Sequence, residues 1–237
     1  MTTVLMEPFE NVSAWTAAGT PTIVSARTNN GVALSTAGDQ LDYDIPSGDQ
    51  TNTLILGFAV NFPVLPASGT AIVEFRSDAG ATIHDSLNWG TGPVLLIRRA
   101  GSLTVLTTST ISITTGTWNY IEVRLVLGDS PNGVATVRLN NTQIGTATSI
   151  DTKNAGTKTV FDRIRIRPPT TSETLFDDLY LLSGSGESFL GDQIITTTPQ
   201  ANVWNGSAFV NGGIKVWNGT TFVDAVAVKT WNGSAFV

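Results

Sequence analysis

Cysteine is absent from this 237-residue chain, so neither disulfides nor thiolate-bound metals can contribute to its stability. Histidine occurs once, at His84, and any nucleophile–base triad would have to be built around that residue. Charge is scarce too. Only 14% of residues are Asp, Glu, Lys or Arg, and the formal net charge of −6 argues against nucleic acid as a partner, because tracking a phosphate backbone requires a basic surface. No run approaches the roughly 20 apolar residues of a membrane span, so membrane insertion is not expected. The opening Met1 to Glu10 lacks the basic region and apolar core of a secretory signal, which fits release by lysis rather than export.

Helical periodicity is also missing, and strand patterns dominate from residue 4 to about 190. In the clearest, Leu54, Leu56, Phe58, Val60 and Phe62 face one way while Thr53, Ile55, Gly57, Ala59 and Asn61 face the other. Ala71, Val73 and Phe75 alternate with Glu74 and Arg76, and Ile121, Val123, Leu125 and Leu127 alternate with Glu122 and Arg124. Further strands are expected at 94–99, 103–108, 134–139, 161–167 and 174–182, separated by Gly, Pro, Asn and Asp clusters. Many short strands at this spacing indicate an all-β fold of two packed antiparallel sheets.

The C-terminal residues repeat one phrase three times: VWNGSAFV at 203–210, VWNGTTFV at 216–223 and TWNGSAFV at 230–237. Asn-Gly tolerates the positive φ of a tight reversal, so each copy reads as a β-hairpin. A four-residue loop would set Trp204 opposite Phe209, Trp217 opposite Phe222 and Trp231 opposite Phe236. Aromatic pairs worth about 0.5–1 kcal/mol each do not fold such hairpins alone, so they call for a further surface and point to assembly.

Several stretches, in order, resemble the concanavalin A-like or laminin-G-like jelly roll: Glu7-Pro-Phe-Glu with Trp15, Leu56-Gly-Phe-Ala-Val-Asn-Phe, Gly116-Thr-Trp-Asn-Tyr-Ile-Glu-Val-Arg-Leu, Val137-Arg-Leu-Asn-Asn-Thr-Gln-Ile-Gly-Thr and Phe176-Asp-Asp-Leu-Tyr-Leu-Leu. A jelly roll ending in Phe-Asp-Asp-Leu-Tyr, then Phe189-Leu-Gly-Asp and a Pro-containing stretch into Trp-Asn-Gly repeats, is similar to minor tail or appendage proteins of tailed bacteriophages, especially those of actinobacterial hosts. The resemblance implies a virion surface protein with a lectin-like sandwich that adheres to a host-surface polysaccharide. It also implies contact with other virion proteins and a homo-oligomer, a trimer by preference. The domains expected are a jelly-roll sandwich at 1–190, a linker at 191–200 and an assembly module of three hairpins at 201–237.

Candidate chemistry is sparse. Polysaccharide-cleaving jelly rolls of this family set paired carboxylates on one strand, and the six glutamates Glu7, Glu10, Glu74, Glu122, Glu173 and Glu187 show no such arrangement, so the chain is read as non-enzymatic. The most site-like stretch is Ile83 to Gly92, expected as a turn-rich segment gathering His84, Asp85, Asn88 and Trp89. A sugar site needs an aromatic face together with amide and carboxylate groups. The same residues also suit a loop whose Trp89 folds over the sandwich edge. No cofactor is required on this reading. Calcium is the one ion considered, at Asp42 and Asp44 on one strand face, and capping or solvated roles serve those carboxylates equally. Arg163, Arg165 and Arg167 share one face and could meet an anionic polymer, or form the outward face of an outer strand paired with acids such as Glu122. The rival readings are a capsid decoration or tail-tip scaffold protein, a cell-wall polysaccharide hydrolase, and glycan binding by the hairpins themselves.

Overall fold

The structure, a computed structural model, describes residues 2–27, 30–36, 38–64, 68–92, 94–100, 104–109, 112–154, 158–168, 173–193, 200–204, 209–213, 215–217, 220 and 222–224. Contacts divide the chain into two units, Met1–Ile195 and Thr196–Val237. The first holds strands β1 (Thr2–Glu7), β2 (Thr16–Ala18), β3 (Thr22–Ser25), β4 (Asn30–Leu34), β5 (Gln40–Asp44), β6 (Thr53–Asn61), β7 (Ala71–Ser77), β8 (Thr82–Trp89), β9 (Leu95–Arg99), β10 (Thr104–Thr108), β11 (Trp118–Val126), β12 (Gly133–Leu139), β13 (Thr142–Ile150), β14 (Arg163–Ile166) and β15 (Thr174–Ser183). No helix occurs among the described residues. The strands form two antiparallel sheets packed as a jelly-roll-like sandwich: an eight-stranded sheet in the order β13-β12-β11-β6-β15-β4-β3, with β1 also on β15, and a seven-stranded sheet in the order β10-β9-β8-β7-β14-β5-β2.

Period-two patterning explains the sandwich. Leu54, Leu56, Phe58, Val60 and Phe62 enter the core between the sheets with Ile121, Val123 and Leu125 of β11 and Phe176, Leu179 and Leu181 of β15. From the other sheet come Ile72, Val73, Phe75, Leu87, Trp89, Ile164 and Ile166. At about 1.5–3 kcal/mol per large apolar side chain, this layer outweighs every polar contact described below. The turn between β12 and β13 is Asn140-Asn141, with φ of 47° and 68°, as a two-residue hairpin matched to strand twist requires.

The opposite face of β6 is buried as well. Ile55 and Ala59 pack with Tyr120, Tyr180 and Leu182, and Trp118, Phe189 and Leu190 cover them. Residues 184–193, expected in part as linker, lie back on this face. Gly191 N donates to Glu122 Oε1 at 2.8 Å, Leu190 N donates to the Tyr180 hydroxyl at 3.2 Å, and Arg27 holds both oxygens of Asp192 at 2.7 and 2.9 Å. Glu122 is thus a buried acceptor, bonded also by the Tyr180 hydroxyl and ion-paired with Arg138 at 3.1 Å, and not the partner expected for the β14 arginines.

The second unit contains β16 (Gln200–Trp204) paired with β17 (Phe209–Gly213), and β18 (Lys215–Trp217) paired with β19 (Phe222–Asp224). Backbone register sets Trp204 opposite Phe209 and Trp217 opposite Phe222. The third copy, with Trp231 and Phe236, lies outside the described residues.

Gly57 marks the tightest point beneath this covering. A Cβ there would lie 2.1 Å from Cε1 of Tyr180, whose ring is locked by Glu122 and Leu190. Gly57→Ala is therefore expected to lower stability by about 1–3 kcal/mol, the range for overpacking a filled core. The shift in denaturant midpoint measures it, and an unchanged midpoint would show that this face is looser than described.

Candidate functional site

The stretch expected as a turn-rich segment is strand β8, and its bulges decide where each side chain goes. Against β7 the pairing runs Ala71↔Asn88, Val73↔Leu87, Glu74↔Ser86, Phe75↔Asp85 and Arg76↔Ile83, with register shifts between Ala71 and Val73 and between Phe75 and Arg76. The second shift leaves His84 as an extra residue. An extra residue breaks strict alternation, so His84 and Asp85 are both buried while Ile83, Ser86 and Asn88 line a cleft on the outer face of the seven-stranded sheet.

That cleft has a volume of about 380 Å3 and is lined by Gly69, Thr70 and Ala71 at one end, Ile83 and Ala100 at the other, and Glu74, Ser86, Asn88 and Arg167 between them. Ser86 donates to Asn88 Oδ1 at 2.6 Å, and Asn88 Nδ2 donates to the Gly69 carbonyl at 3.0 Å, which fixes the amide and ties the floor to the rim. Glu74 accepts from Arg167 Nη1 at 3.0 Å through Oε1 and from Arg76 through Oε2. The cleft therefore combines hydroxyl, amide, carboxylate and guanidinium groups over a short apolar floor, a donor–acceptor set suited to sugar hydroxyls.

Of the four residues singled out in the sequence, only Asn88 lines this cleft. Trp89 is 1% exposed and packs edge-on against Phe62 at 5.1 Å, so its ring is a core element with no free face for a pyranose. His84 lies against Phe161, receives Asn154 N–H on Nδ1 at 3.2 Å and meets Ser77 Oγ through Nε2 at 2.8 Å. With Nδ1 accepting, the ring proton sits on Nε2 and is donated to Ser77, so His84 cannot act as a base toward that hydroxyl. Burial lowers its pKa further. Asp85 is fully buried with both oxygens lacking hydrogen-bond partners, and desolvation, opposed only in part by Arg99, holds its carboxyl well above the usual range.

The carboxylates considered for calcium are bonded to guanidiniums. Arg165 grips Asp42 bidentately at 2.6 and 2.7 Å, and Arg163 bonds Asp44 at 2.5 Å. Among the described residues no group of three or more carboxylates and imidazoles could hold a metal ion. Nor is β14 an outer strand: it lies between β7 and β5, and its arginines meet Asp42, Asp44 and Glu74. Sequence reasoning missed Ser86 and the cleft role of Glu74, because alternation shows which residues share a face but not which strands adjoin.

With this geometry established, comparison with known proteins adds the fold and little more. No known family profile and no curated protein matches the chain. Among solved structures, it is similar to endo-β-1,4-glucuronan lyase from the fungus Trichoderma reesei, with 11% identity, a TM-score of 0.55 and coverage of 73% of this chain and 92% of that one. The cellulose-induced protein Cip1 aligns with 14% identity, a TM-score of 0.56 and coverage of 76% and 97%. The binding domain of Paraclostridial Mosquitocidal Protein 1 aligns with 12% identity, a TM-score of 0.50 and coverage of 69% and 42%. The shared feature is an all-β sandwich.

Reading the chain as non-enzymatic rested on the missing carboxylate pair of glycoside hydrolysis. A sandwich of this fold serves a lyase, and elimination does not require that pair, so the exclusion does not stand.

Two outcomes follow. Trp89→Ala is expected to cost about 3–5 kcal/mol of stability, as for other large aromatic truncations in cores; loss of glycan binding at unchanged stability would restore Trp89 as a binding platform. For Asp85, the folded-state pKa is raised, so its contribution is most favourable below the ordinary carboxylate pKa and stability falls as pH rises from there. Asp85→Asn is therefore expected to flatten this part of the pH profile and to stabilise the protein at neutral pH relative to its acid stability. Denaturation midpoints measured from acid to neutral pH test this, and a parallel pair of profiles would refute it.

Proposed function

We propose that the first unit is a polysaccharide-recognition module and that the cleft on the outer face of its seven-stranded sheet is where the glycan lies. The observation that carries this reading is the cleft itself, where Glu74, Ser86, Asn88 and Arg167 converge over an open groove between two bulges. A sheet face presents such groups in a row along which an extended chain can run. The sandwich fold is shared with a protein named as a polysaccharide lyase and with one named as a binding domain, which supports the general direction.

In our reading the chain is a surface protein of a tailed-phage virion, released by lysis, which attaches the particle to a host-envelope glycan. The Trp-Asn-Gly hairpins then serve as the element that joins other virion proteins or further copies of the chain, with a trimer as the preferred assembly. Weak single sites suffice in such an arrangement, because linking several copies raises effective affinity by about a hundredfold or more where the geometry permits.

The test uses full-length protein and insoluble cell-wall polysaccharide from actinobacterial hosts. Asn88→Ala removes the amide that orders the cleft floor and is expected to weaken retention by about tenfold, the worth of one or two hydrogen bonds. Retention unchanged from wild type would reject the cleft as the site. The same incubation shows whether the bound glycan is also cut, since hydrolysis releases reducing ends and elimination leaves an unsaturated, ultraviolet-absorbing end.

A further inference from the structure

One row of residues crosses the seven-stranded sheet on its outer face. Pairing register places Asp42 (β5), Arg165 (β14), Glu74 (β7), Ser86 (β8) and Arg98 (β9) side by side. The row begins with matched charges. Arg165 is paired with Asp42, and Glu74 divides its two oxygens between Arg167 and Arg76. Beyond Glu74 the pattern stops, because the next residue is the neutral Ser86, whose hydroxyl is donated to Asn88.

Arg98 is therefore left over. It makes no ion pair among the described residues, and its Nε is buried without a hydrogen-bond partner. The nearest acid in the row, Glu74, is two strands away, roughly 10 Å at the usual strand spacing, and both its oxygens are taken. Its guanidinium lies beside the rim of the cleft: a Cβ on Gly69, which lines the cleft, would sit 3.5 Å from Nη1. Among the described strand residues of this face, Arg76, Arg163, Arg165 and Arg167 share the carboxylates of Asp42, Asp44 and Glu74, and Arg98 is a further positive charge with none. The chain as a whole carries a net −6, so this is a local reversal of sign.

An unpaired guanidinium with a desolvated Nε is costly unless an anion completes it. We infer that the glycan taken by this cleft is anionic, and that Arg98 binds its carboxylate, sulfate or phosphate group at the Gly69 end. The inference rests on the proposed glycan role of the cleft and narrows its ligand class. Arg98 presents a planar fork that matches such oxyanions, and Arg167, already bonded to Glu74, adds positive potential on the far side of Ser86 and Asn88.

The experiment measures binding of the full-length protein to four soluble polymers: polygalacturonate, dextran sulfate, poly(glycerol phosphate) and uncharged dextran. Variants are Arg98→Gln, Arg98→Lys, Asn88→Ala and, as a control of equal charge change, Arg124→Gln on the eight-stranded sheet, where Arg124 also has an unpartnered Nε. Wild type is expected to bind at least one anionic polymer and to prefer it over dextran, and the polymer preferred identifies the oxyanion. Arg98→Gln should weaken that binding by about tenfold or more, as for loss of a charged hydrogen-bond donor. Arg98→Lys should restore part of the loss, and Arg124→Gln should remain within about twofold of wild type, because it lies on the other sheet of the sandwich.

Anionic binding that survives Arg98→Gln, or that falls equally with Arg124→Gln, overturns the inference. Preference for dextran that is lost in Asn88→Ala also overturns it, yet leaves the cleft as a glycan site. No binding of any polymer, together with host-wall retention that Asn88→Ala does not change, rejects both. Equal thermal midpoints for Arg98→Gln and wild type establish that folding is not the cause.

Discussion

Everything in the first unit depends on burying both faces of the central strands β6 and β15. One face is met by the second sheet, through a continuous aliphatic and aromatic layer. The other would be left as an apolar sheet surface around Ile55, Ala59 and Leu182, and a surface of that kind invites association. Residues 184–193 resolve this by folding back over it. Their attachment is polar as well as apolar: Phe189 sits under Arg138 at 5.0 Å, and Arg27 clamps Asp192 while its guanidinium lies 5.8 Å from the Tyr120 ring. The buried Glu122 is tolerable because Arg138, Tyr180 and the backbone of Gly191 all converge on it.

With that sheet covered, the other sheet of the sandwich presents polar residues alternately outward, with no covering segment among the described residues of the first unit. Bulges then give the face its relief. Where β7 and β8 are out of step, alternation is reset, and Ile83 and Asn88 come to line the same cleft although an unbroken strand would place them on opposite sides. The same irregularity buries His84 and Asp85. The two most reactive side chains of the stretch are thus withdrawn from solvent, and the polar groups that line the cleft are a hydroxyl, an amide, a carboxylate and a guanidinium.

Much of the fold was legible in the chain because alternation is a local property. The burial of Leu54 to Phe62, the outward turn of Glu74 and Arg76, and the Asn140-Asn141 hairpin all follow from residues close in sequence. The site was less legible because it is made by register between distant strands. Asp42 and Arg165 meet across 123 residues, and nothing local says that β14 lies between β5 and β7. Trp89 misled for a related reason. An aromatic residue beside Asn and Gly reads as a loop tip, yet Trp89 is the last paired residue of the strand and its place in the alternation turns it inward. Residues 191–193 read as the start of a linker, whereas Phe189 and Leu190 just before them are packed on the apolar sheet face.

The distribution of charge ties the two faces together. In a chain with so few ionisable groups, most acids are committed to a named basic partner or to backbone N–H groups, as Asp39 is to Thr20, Ser35 and Thr36, whose hydrogen bonds outweigh the upward pull of its burial. Such pairing contributes little net stability at a surface, but it fixes side-chain positions. Along the row from Asp42 to Glu74 it holds Arg165, Arg167 and Arg76 in place and so keeps them from moving to satisfy an incoming anion. A face prepared in this way discriminates by what it leaves unsatisfied. The row ends where Ser86 interrupts the alternation of charge and Arg98 has no carboxylate partner among the described residues.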